Sequence, residues 1–252
     1  MMADEARRDL VTYGKRLYEK GFVAATDGNL SVRLARGGFL STPTGLPKGE
    51  LSEGVMARLD GDGRPTAGQP SSEWPMHLAI YEARADVAAV VHAHPPFATA
   101  LACAGRGIDR PVLSEVVISL GTVPLAPFEL PSTRDLARGV ASALAGNAAV
   151  LLANHGAVTV GPDLRTAYYR METLEQAARI SLYADLLGGG KPLPEPAVRA
   201  LKNLGEGYGL APLPSASCEG CPVAAGEAGA VVLRRDELAK LLAEFARAYS
   251  RG

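Results

Sequence analysis

The spacing of apolar residues predicts five helices in the body of the chain. In each one, apolar side chains recur at intervals of three and four residues, and a capping residue or a glycine marks an end. Ser71 or Ser72 is the expected N-cap of the second helix, with Pro75 in its first turn. The five predicted helices are 5–20, 72–84, 96–104, 133–145 and 163–187.

Alternating or continuous apolar runs between these helices predict strands. Gly37-Gly38 is a hairpin signal between the first two of them. Because helices and strands alternate unevenly, with some strands adjacent, the expected fold is a mixed α/β sheet covered by helices. The predicted strands are 29–34, 39–42, a run ending at His94, 112–120, 123–127 and 149–153.

Composition and charge exclude several classes of protein. The chain has 252 residues and a net charge of −1, with no basic block that would bind nucleic acid. No apolar run is long enough to span a bilayer, so no membrane partner is expected. The charged N-terminus lacks the apolar region of a signal peptide, and the 3 cysteines cannot all pair. These features predict a cytoplasmic protein.

Three of the 4 histidines form a pattern typical of a metal site. His92 and His94 lie one residue apart on a predicted strand, so their side chains point to the same face. His155 follows the apolar run 149–153 and precedes a glycine, where a buried strand opens into a turn. Three protein ligands with an open fourth position are typical of catalytic zinc. The alternative is a set of ordinary histidines near a core, and the position of His155 favours the metal.

Three loop segments have the composition of an anion site. Small hydroxyl and amide side chains stand beside glycines in 26–29 and 41–45, and glycine lets backbone N–H groups approach an oxyanion. Ser71-Ser72 lies at the start of a predicted helix, whose N-terminus favours phosphate. Glu73 follows. It is either an acidic residue that complements the helix dipole or a general base beside the metal.

Five short motifs together resemble the class II aldolase/adducin family, and within it the L-fuculose-1-phosphate aldolases. The resemblance covers about residues 5–210 and implies a three-layer fold, with a mainly antiparallel central sheet covered by helices. It also implies a homotetramer with active sites between subunits. The motifs are Ala25–Arg33, Thr42–Gly45, Pro70–Trp74, His92–His94 and Asn154–Gly156.

The resemblance assigns a role to each candidate site residue. His92, His94 and His155 bind one zinc ion per subunit. Glu73 is the acid/base and can also reach the metal. The residues that hold the substrate phosphate are Gly28, Asn29, Thr44, Gly45, Ser71 and Ser72.

The implied activity is the reversible cleavage of a ketose 1-phosphate similar to L-fuculose 1-phosphate. The products are dihydroxyacetone phosphate and a short aldehyde, formed through a metal-stabilised enediolate. Other sugar-phosphate chemistry on the same zinc platform is the alternative: epimerisation, dehydration or decarboxylation. A non-catalytic adducin-like scaffold is the alternative from a different class, and the retention of all three histidines with Glu73 argues against it.

Two departures from the family pattern fall where the aldehyde would bind. Glu115 stands where the aldolase has a proton-donating tyrosine supplied by a neighbouring subunit, and a carboxyl can donate only if its pKa is raised. Pro131 stands where the family has an aromatic residue. Tyr208 matches the tyrosine of the C-terminal tail, although a tyrosine in a Gly-rich loop is an equally good interpretation.

The last residues extend beyond this body, which is assigned to 1–210. A Pro/Gly/Ala-rich linker over 211–232 precedes an amphipathic helix over 233–252. That helix either docks on its own oligomer or, as in the tails that it resembles, binds the shell of a bacterial microcompartment. Cys218 and Cys221 form an isolated C-x-x-C pair without a second ligand pair.

Overall fold

One eight-stranded sheet organises the part of the chain that the computed structural model describes, residues 2–207. Its strand order is β4-β3-β2-β1-β5-β8-β7-β6, and every neighbouring pair is antiparallel except β6 and β7. The strands are β1 (Asn29–Arg33), β2 (Phe39–Ser41), β3 (Ala57–Leu59), β4 (Pro65–Ala67), β5 (Ala89–Ala93), β6 (Leu125–Ala126), β7 (Ala149–Leu152) and β8 (Gly156–Gly161).

Residues 2–207 also form seven α-helices, six of which pack on the two faces of this sheet. None of the described helices is both long enough and apolar enough to cross a membrane. Short 3-10 turns at Lys48–Glu50 and Glu53–Val55 lie between β2 and β3. The helices are α1 (Ala3–Glu19), α2 (Trp74–Ala83), α3 (Pro96–Cys103), α4 (Ser114–Ser119), α5 (Arg134–Ala143), α6 (Leu164–Leu186) and α7 (Glu195–Gly207).

Two apolar cores separate these elements into three layers. Alternate residues of β5 point to opposite faces, so Val91 packs on one side of the sheet and Val90 on the other. The Val91 core contains residues of α1, α3, α4 and α6, and the Val90 core contains residues of α2 and α5. The predicted three-layer, mainly antiparallel fold is confirmed.

The segment 112–120, predicted as a strand, contains helix α4 instead. A short apolar run fits a buried helix as well as a strand when its periodicity is the only evidence. Val116 and Leu120 lie one helical turn apart and both join the core on the α6 side of the sheet. Burial of one helical face therefore decides the conformation of this segment.

Other elements differ from the sequence expectations. Helix α7 lies in a part of the predicted body for which no element was predicted, and it contacts α4. Strands β3, β4 and β8 were not predicted. Strand β8 begins at Gly156, directly after the predicted turn at His155. The predicted linker 211–232 and helix 233–252 lie outside the described residues.

A buried carboxylate joins α6 to the helix that follows the His-x-His strand. Glu175 accepts hydrogen bonds from the backbone N–H groups of Phe97 and Ala98, at 3.0 and 2.8 Å. These N–H groups lie in the first turn of α3, where no intrahelical acceptor exists. Burial raises the pKa of Glu175, although both hydrogen bonds oppose that rise. The contact holds the chain that leaves β5 just after His94.

We expect Glu175→Ala to lower the free energy of unfolding by about 1–3 kcal/mol, because two buried donors lose their acceptor. Glu175→Gln should lose less, since the amide oxygen retains one bond. Urea denaturation of both variants measures the difference. Stability of Glu175→Ala within about 0.5 kcal/mol of the parent would contradict the contact.

Candidate active site

The three predicted metal ligands come together at one end of the central strands. His92 lies on β5, and His94 lies just beyond the end of that strand. His155 lies in the tight turn between β7 and β8, where Asn154 adopts a left-handed φ of 55°. Because β8 pairs with both β5 and β7, this turn lies beside the end of β5. Sheet register therefore brings together residues that are about 60 positions apart in the sequence.

The three imidazoles are arranged as a metal-binding set. One nitrogen of each ring lies within 4.8 Å of the others, and the Nε2 atoms of His92 and His94 are 3.3 Å apart. Two nitrogens bound to one tetrahedral zinc, each at about 2.0–2.1 Å, would also be roughly 3.3 Å apart. The Nδ1 atom of His92 donates to the carbonyl of Ala157 at 3.0 Å, which leaves its Nε2 lone pair for a ligand. This geometry and donor set fit a divalent metal.

The surroundings keep two of these rings in the neutral form that binds metals. Burial lowers the pKa of His155 to about 4, and the neighbouring His92 lowers it further. Burial and His92 also lower the pKa of His94. Burial would lower the pKa of His92, but the adjacent Glu73 carboxylate raises it. Convergent neutral imidazoles are ready for a cation without releasing protons.

Glu73 lies directly against this set. Its Oε2 is 3.1 Å from His92 Nε2, and its Oε1 is 3.5 Å from His155 Nε2. Burial alone would raise the pKa of Glu73, but His92 and the Asn29 amide bring it below its usual range.

Glu73 is the N-cap residue of α2, so neither Ser71 nor Ser72 is the cap that we expected. Pro75 is in the first turn, as predicted.

A chain of buried hydrogen bonds fixes the orientation of the Glu73 carboxylate. Asn29 Nδ2 donates to Glu73 Oε2 at 2.8 Å, so the Asn29 oxygen accepts from His77 Nε2 at 2.6 Å. His77 Nδ1 must then accept from the Ser31 hydroxyl at 2.6 Å, and that oxygen accepts from Tyr81 at 2.8 Å. The chain gives the side chains of Asn29, His77, Ser31 and Tyr81 hydrogen-bond partners in the interior. His77 is therefore placed in this network and outside the group of three ligand nitrogens.

The candidate phosphate loops border the same region. Asn29 pairs with His92 across β1 and β5, and Ser71 N–H donates to the Thr42 carbonyl at 3.1 Å. Thr44, Gly45 and Ser72 are exposed. Within residues 2–207, the N–H groups of Gly28, Gly45 and Ser72 have no acceptor. Free N–H groups beside small residues can bind an anion.

The predicted aldehyde side of the site is not assembled in the described chain. Glu115 is exposed in the first turn of α4, where its carboxylate contacts solvent. Pro131 lies in an exposed loop between β6 and α5, beside Phe128 and Leu130, which are 54% and 65% exposed. Tyr208 lies outside the described residues.

Four further residues join the site. The Asp27 carboxylate is 3.4 Å from His94 Nδ1. Lys48 is buried, and its Nζ donates to the carbonyls of Thr26 and Leu46. Ser31 and Tyr81 complete the hydrogen-bond chain. A sequence signal existed for Tyr81, since Glu73, His77 and Tyr81 are spaced by four residues on one helix face. Lys48 gives no such signal, because a lysine in a polar turn is usually exposed.

Comparisons with known proteins show which family this chain resembles. The family model described as "Class II Aldolase and Adducin N-terminal domain" matches residues 8–182. The 3-oxo-tetronate 4-phosphate decarboxylase of Escherichia coli K12 is 37% identical over 180 residues, covering 69% of this chain and 84% of that protein. The 5-deoxy-D-ribulose 1-phosphate aldolase of Bacillus thuringiensis is 33% identical over 213 residues, covering 83% of this chain and 99% of that protein.

A solved structure shows the same fold. An L-fuculose 1-phosphate aldolase superposes with a TM-score of 0.76 at 32% sequence identity, and the match covers 83% of this chain and 98% of that one. All three named proteins act on phosphorylated substrates, and two of them are aldolases.

We expect Gly156→Ala to weaken metal binding, because its Cβ would lie 2.5 Å from His94 Cδ2 and 2.6 Å from the Ala93 oxygen. Displacement of a ligand ring costs roughly 10–100-fold in metal affinity. Competition with a chromophoric zinc chelator measures this loss. Gly139→Ala on α5 is the matched control, since its Cβ would meet no atom within 4 Å. Unchanged affinity of Gly156→Ala would show that the close packing on His94 is unimportant.

Proposed function

The chain belongs to the class II aldolase and adducin family, whose enzymes are metal-dependent lyases, and from this membership we propose a specific reaction for it. The proposed enzyme is a zinc-dependent aldolase that reversibly cleaves a ketose 1-phosphate to dihydroxyacetone phosphate and a short aldehyde. One observation carries the proposal: a carboxylate with one free oxygen lies beside three convergent imidazoles. The three-histidine set favours zinc as the metal.

His92, His94 and His155 would hold the metal. When bound there, zinc supplies a positive charge that stabilises the negative charge developing on the substrate's carbonyl oxygen.

Glu73 is the group that moves the proton. Its two oxygens differ, because Asn29 anchors Oε2 whereas Oε1 is buried without a hydrogen-bond partner among residues 2–207. In the direction of synthesis, Oε1 removes a proton from the hydroxymethyl carbon beside the carbonyl. In the direction of cleavage, Glu73 returns that proton to the same carbon after the carbon–carbon bond breaks. The network from Tyr81 to Asn29 holds the carboxylate in one orientation for both steps.

The loops beside Glu73 orient the substrate. The free N–H groups of Gly28, Gly45 and Ser72 and the side chains of Asn29, Thr44 and Ser71 would hold the phosphate, as the family resemblance implies. A fixed phosphate places the carbonyl and the hydroxymethyl carbon of the same molecule at the histidines and Glu73. The relatives that act on 1-phosphates of deoxy sugars support a ketose 1-phosphate as the substrate.

Aldol cleavage also needs a group other than Glu73 to accept the proton of the substrate hydroxyl. We propose that Glu115 supplies it from a neighbouring copy in a homotetramer, with Tyr208 closing over the site. The exposure of Glu115 on α4 leaves its carboxylate available to another subunit. A cytoplasmic location and a microcompartment role for 233–252 stay predictions.

Decarboxylation of a 3-oxo acid phosphate is the second candidate. That reaction also leaves a carbanion beside a carbonyl, which Glu73 could protonate, but it needs no acceptor for a hydroxyl proton. The replacement of the family tyrosine by Glu115 favours it, and so does the similarity to 3-oxo-tetronate 4-phosphate decarboxylase.

Product analysis distinguishes the two reactions. The zinc-loaded protein is incubated with L-fuculose 1-phosphate, 5-deoxy-D-ribulose 1-phosphate and 3-oxo-tetronate 4-phosphate, and aldehyde and carbon dioxide are measured separately. We expect aldehyde and dihydroxyacetone phosphate from a ketose 1-phosphate, with loss of turnover after chelation. If the 3-oxo acid gives carbon dioxide and neither ketose 1-phosphate gives aldehyde, the protein is a decarboxylase and the aldolase proposal is wrong.

Glu73→Gln should reduce turnover of the active substrate by about 10²–10⁴-fold, because the amide cannot accept the proton. Zinc content measured on the same sample should stay unchanged. Glu82→Gln is the control, since Glu82 is an exposed carboxylate on the same helix. Full activity of Glu73→Gln with zinc bound would exclude the assigned role.

A further inference from the structure

Lys48 is a buried cation that the proposed reaction does not use. It is 1% exposed and begins the 3-10 turn Lys48–Glu50, three residues after Gly45. The turn packs on α1 at two glycines that leave room for it. A Cβ at Gly14 would lie 3.1 Å from the Lys48 oxygen, and a Cβ at Gly49 would lie 2.7 Å from the Tyr18 ring. The turn therefore packs closely on α1, and the Lys48 side chain is buried.

The Lys48 ammonium group has hydrogen-bond acceptors but, among the described residues, no ion-pair partner. Its Nζ donates to the carbonyls of Thr26 and Leu46, both at 2.9 Å. Among residues 2–207 no carboxylate lies within ion-pair distance of it. A buried ammonium without an ion pair is costly, and burial lowers the pKa of Lys48 to about 8, although Asp27 and Glu73 oppose that effect. An anion bound nearby would supply the negative charge that the buried ammonium group lacks.

The two carbonyls belong to the two loops that border the proposed phosphate site. Thr26 is two residues before Gly28, and Leu46 directly follows Gly45. Both loops therefore direct a carbonyl toward Lys48 while the N–H groups of Gly28 and Gly45 are left without acceptors among the described residues. The Lys48 side chain thus links the two loops through their carbonyl groups and places a positive charge beside both. Backbone N–H groups and a buried cation together favour a doubly charged anion.

We propose that Lys48 is a positioning residue that makes the site specific for phosphorylated substrates, by fixing the loops at Thr26 and Leu46 and by offsetting the charge of the phosphate. The inference rests on the proposed function, because it assumes that these loops bind a phosphate monoester. A purely structural lysine would affect folding alone. A positioning residue affects the affinity for the phosphate and the KM of the substrate.

The direct test is binding of glycerol 3-phosphate to the zinc-loaded full chain, with glycerol as the uncharged reference. Glycerol 3-phosphate is a phosphate monoester that has no carbonyl to chelate the metal. In Lys48→Met, which keeps the length and apolar character of the stem, calorimetric titration should show affinity weaker by roughly tenfold or more, because a nearby positive charge that favours the phosphate is lost. Zinc content, measured on the same samples, should not fall.

Lys15→Met is the matched control, because it removes the same charge from an exposed position on α1. It should bind glycerol 3-phosphate as the parent does. For the substrate that is turned over, Lys48→Met should raise KM at least as much as it weakens glycerol 3-phosphate binding and leave kcat within about twofold.

Equal binding by Lys48→Met and the parent would overturn the role of Lys48 and leave the proposed function intact. Failure of the parent itself to bind glycerol 3-phosphate would overturn both. Should Lys48→Met not fold, Lys48→Gln gives the neutral comparison, since its amide can still donate to a carbonyl.

Discussion

The antiparallel register of β5 between β1 and β8 is the constraint on which the whole site depends. It sets Asn29 opposite His92 on one side, and on the other it brings the β7–β8 turn with His155 beside the end of β5. A shift of one residue would turn His92 to the other face of the sheet, away from Glu73. The apolar pair of Val90 with Val160 lies in a buried core and holds the register, so core packing fixes the ligand geometry.

Burial gives each polar group of the site a separate consequence. Glu73 keeps one oxygen anchored to Asn29 and the other without a partner, which separates orientation from reactivity in one side chain. The buried chain behind Asn29 ends at Tyr81, whose pKa is raised by burial, so its hydroxyl stays a donor. Lys48 brings a buried positive charge to the loops at Thr26 and Leu46. The packed core in this way holds charged groups in fixed positions, and part of its stability offsets the cost of burying them.

Sequence patterns predicted the parts of this molecule that local periodicity determines. The long helices and the spacing of His92 with His94 follow from repeats of two or 3.6 residues, whereas the three-layer arrangement was implied by the family resemblance. Helix α4 did not, because a run of six residues is compatible with either period and its core contacts decide. Asp27 and Lys48 were also beyond reach, since their roles arise from the packing of loops distant in sequence. Glu115 marks where pattern reasoning ends, because its proposed role needs another subunit.

X-ray absorption spectroscopy of the zinc-loaded full-length protein tests the central claim most directly. The account requires one zinc per chain with three imidazole nitrogens at about 2.0–2.1 Å and no sulfur neighbour. A sulfur shell at about 2.3 Å would place the metal on cysteines such as Cys218 and Cys221. Fewer than three imidazoles around the bound metal would equally contradict it.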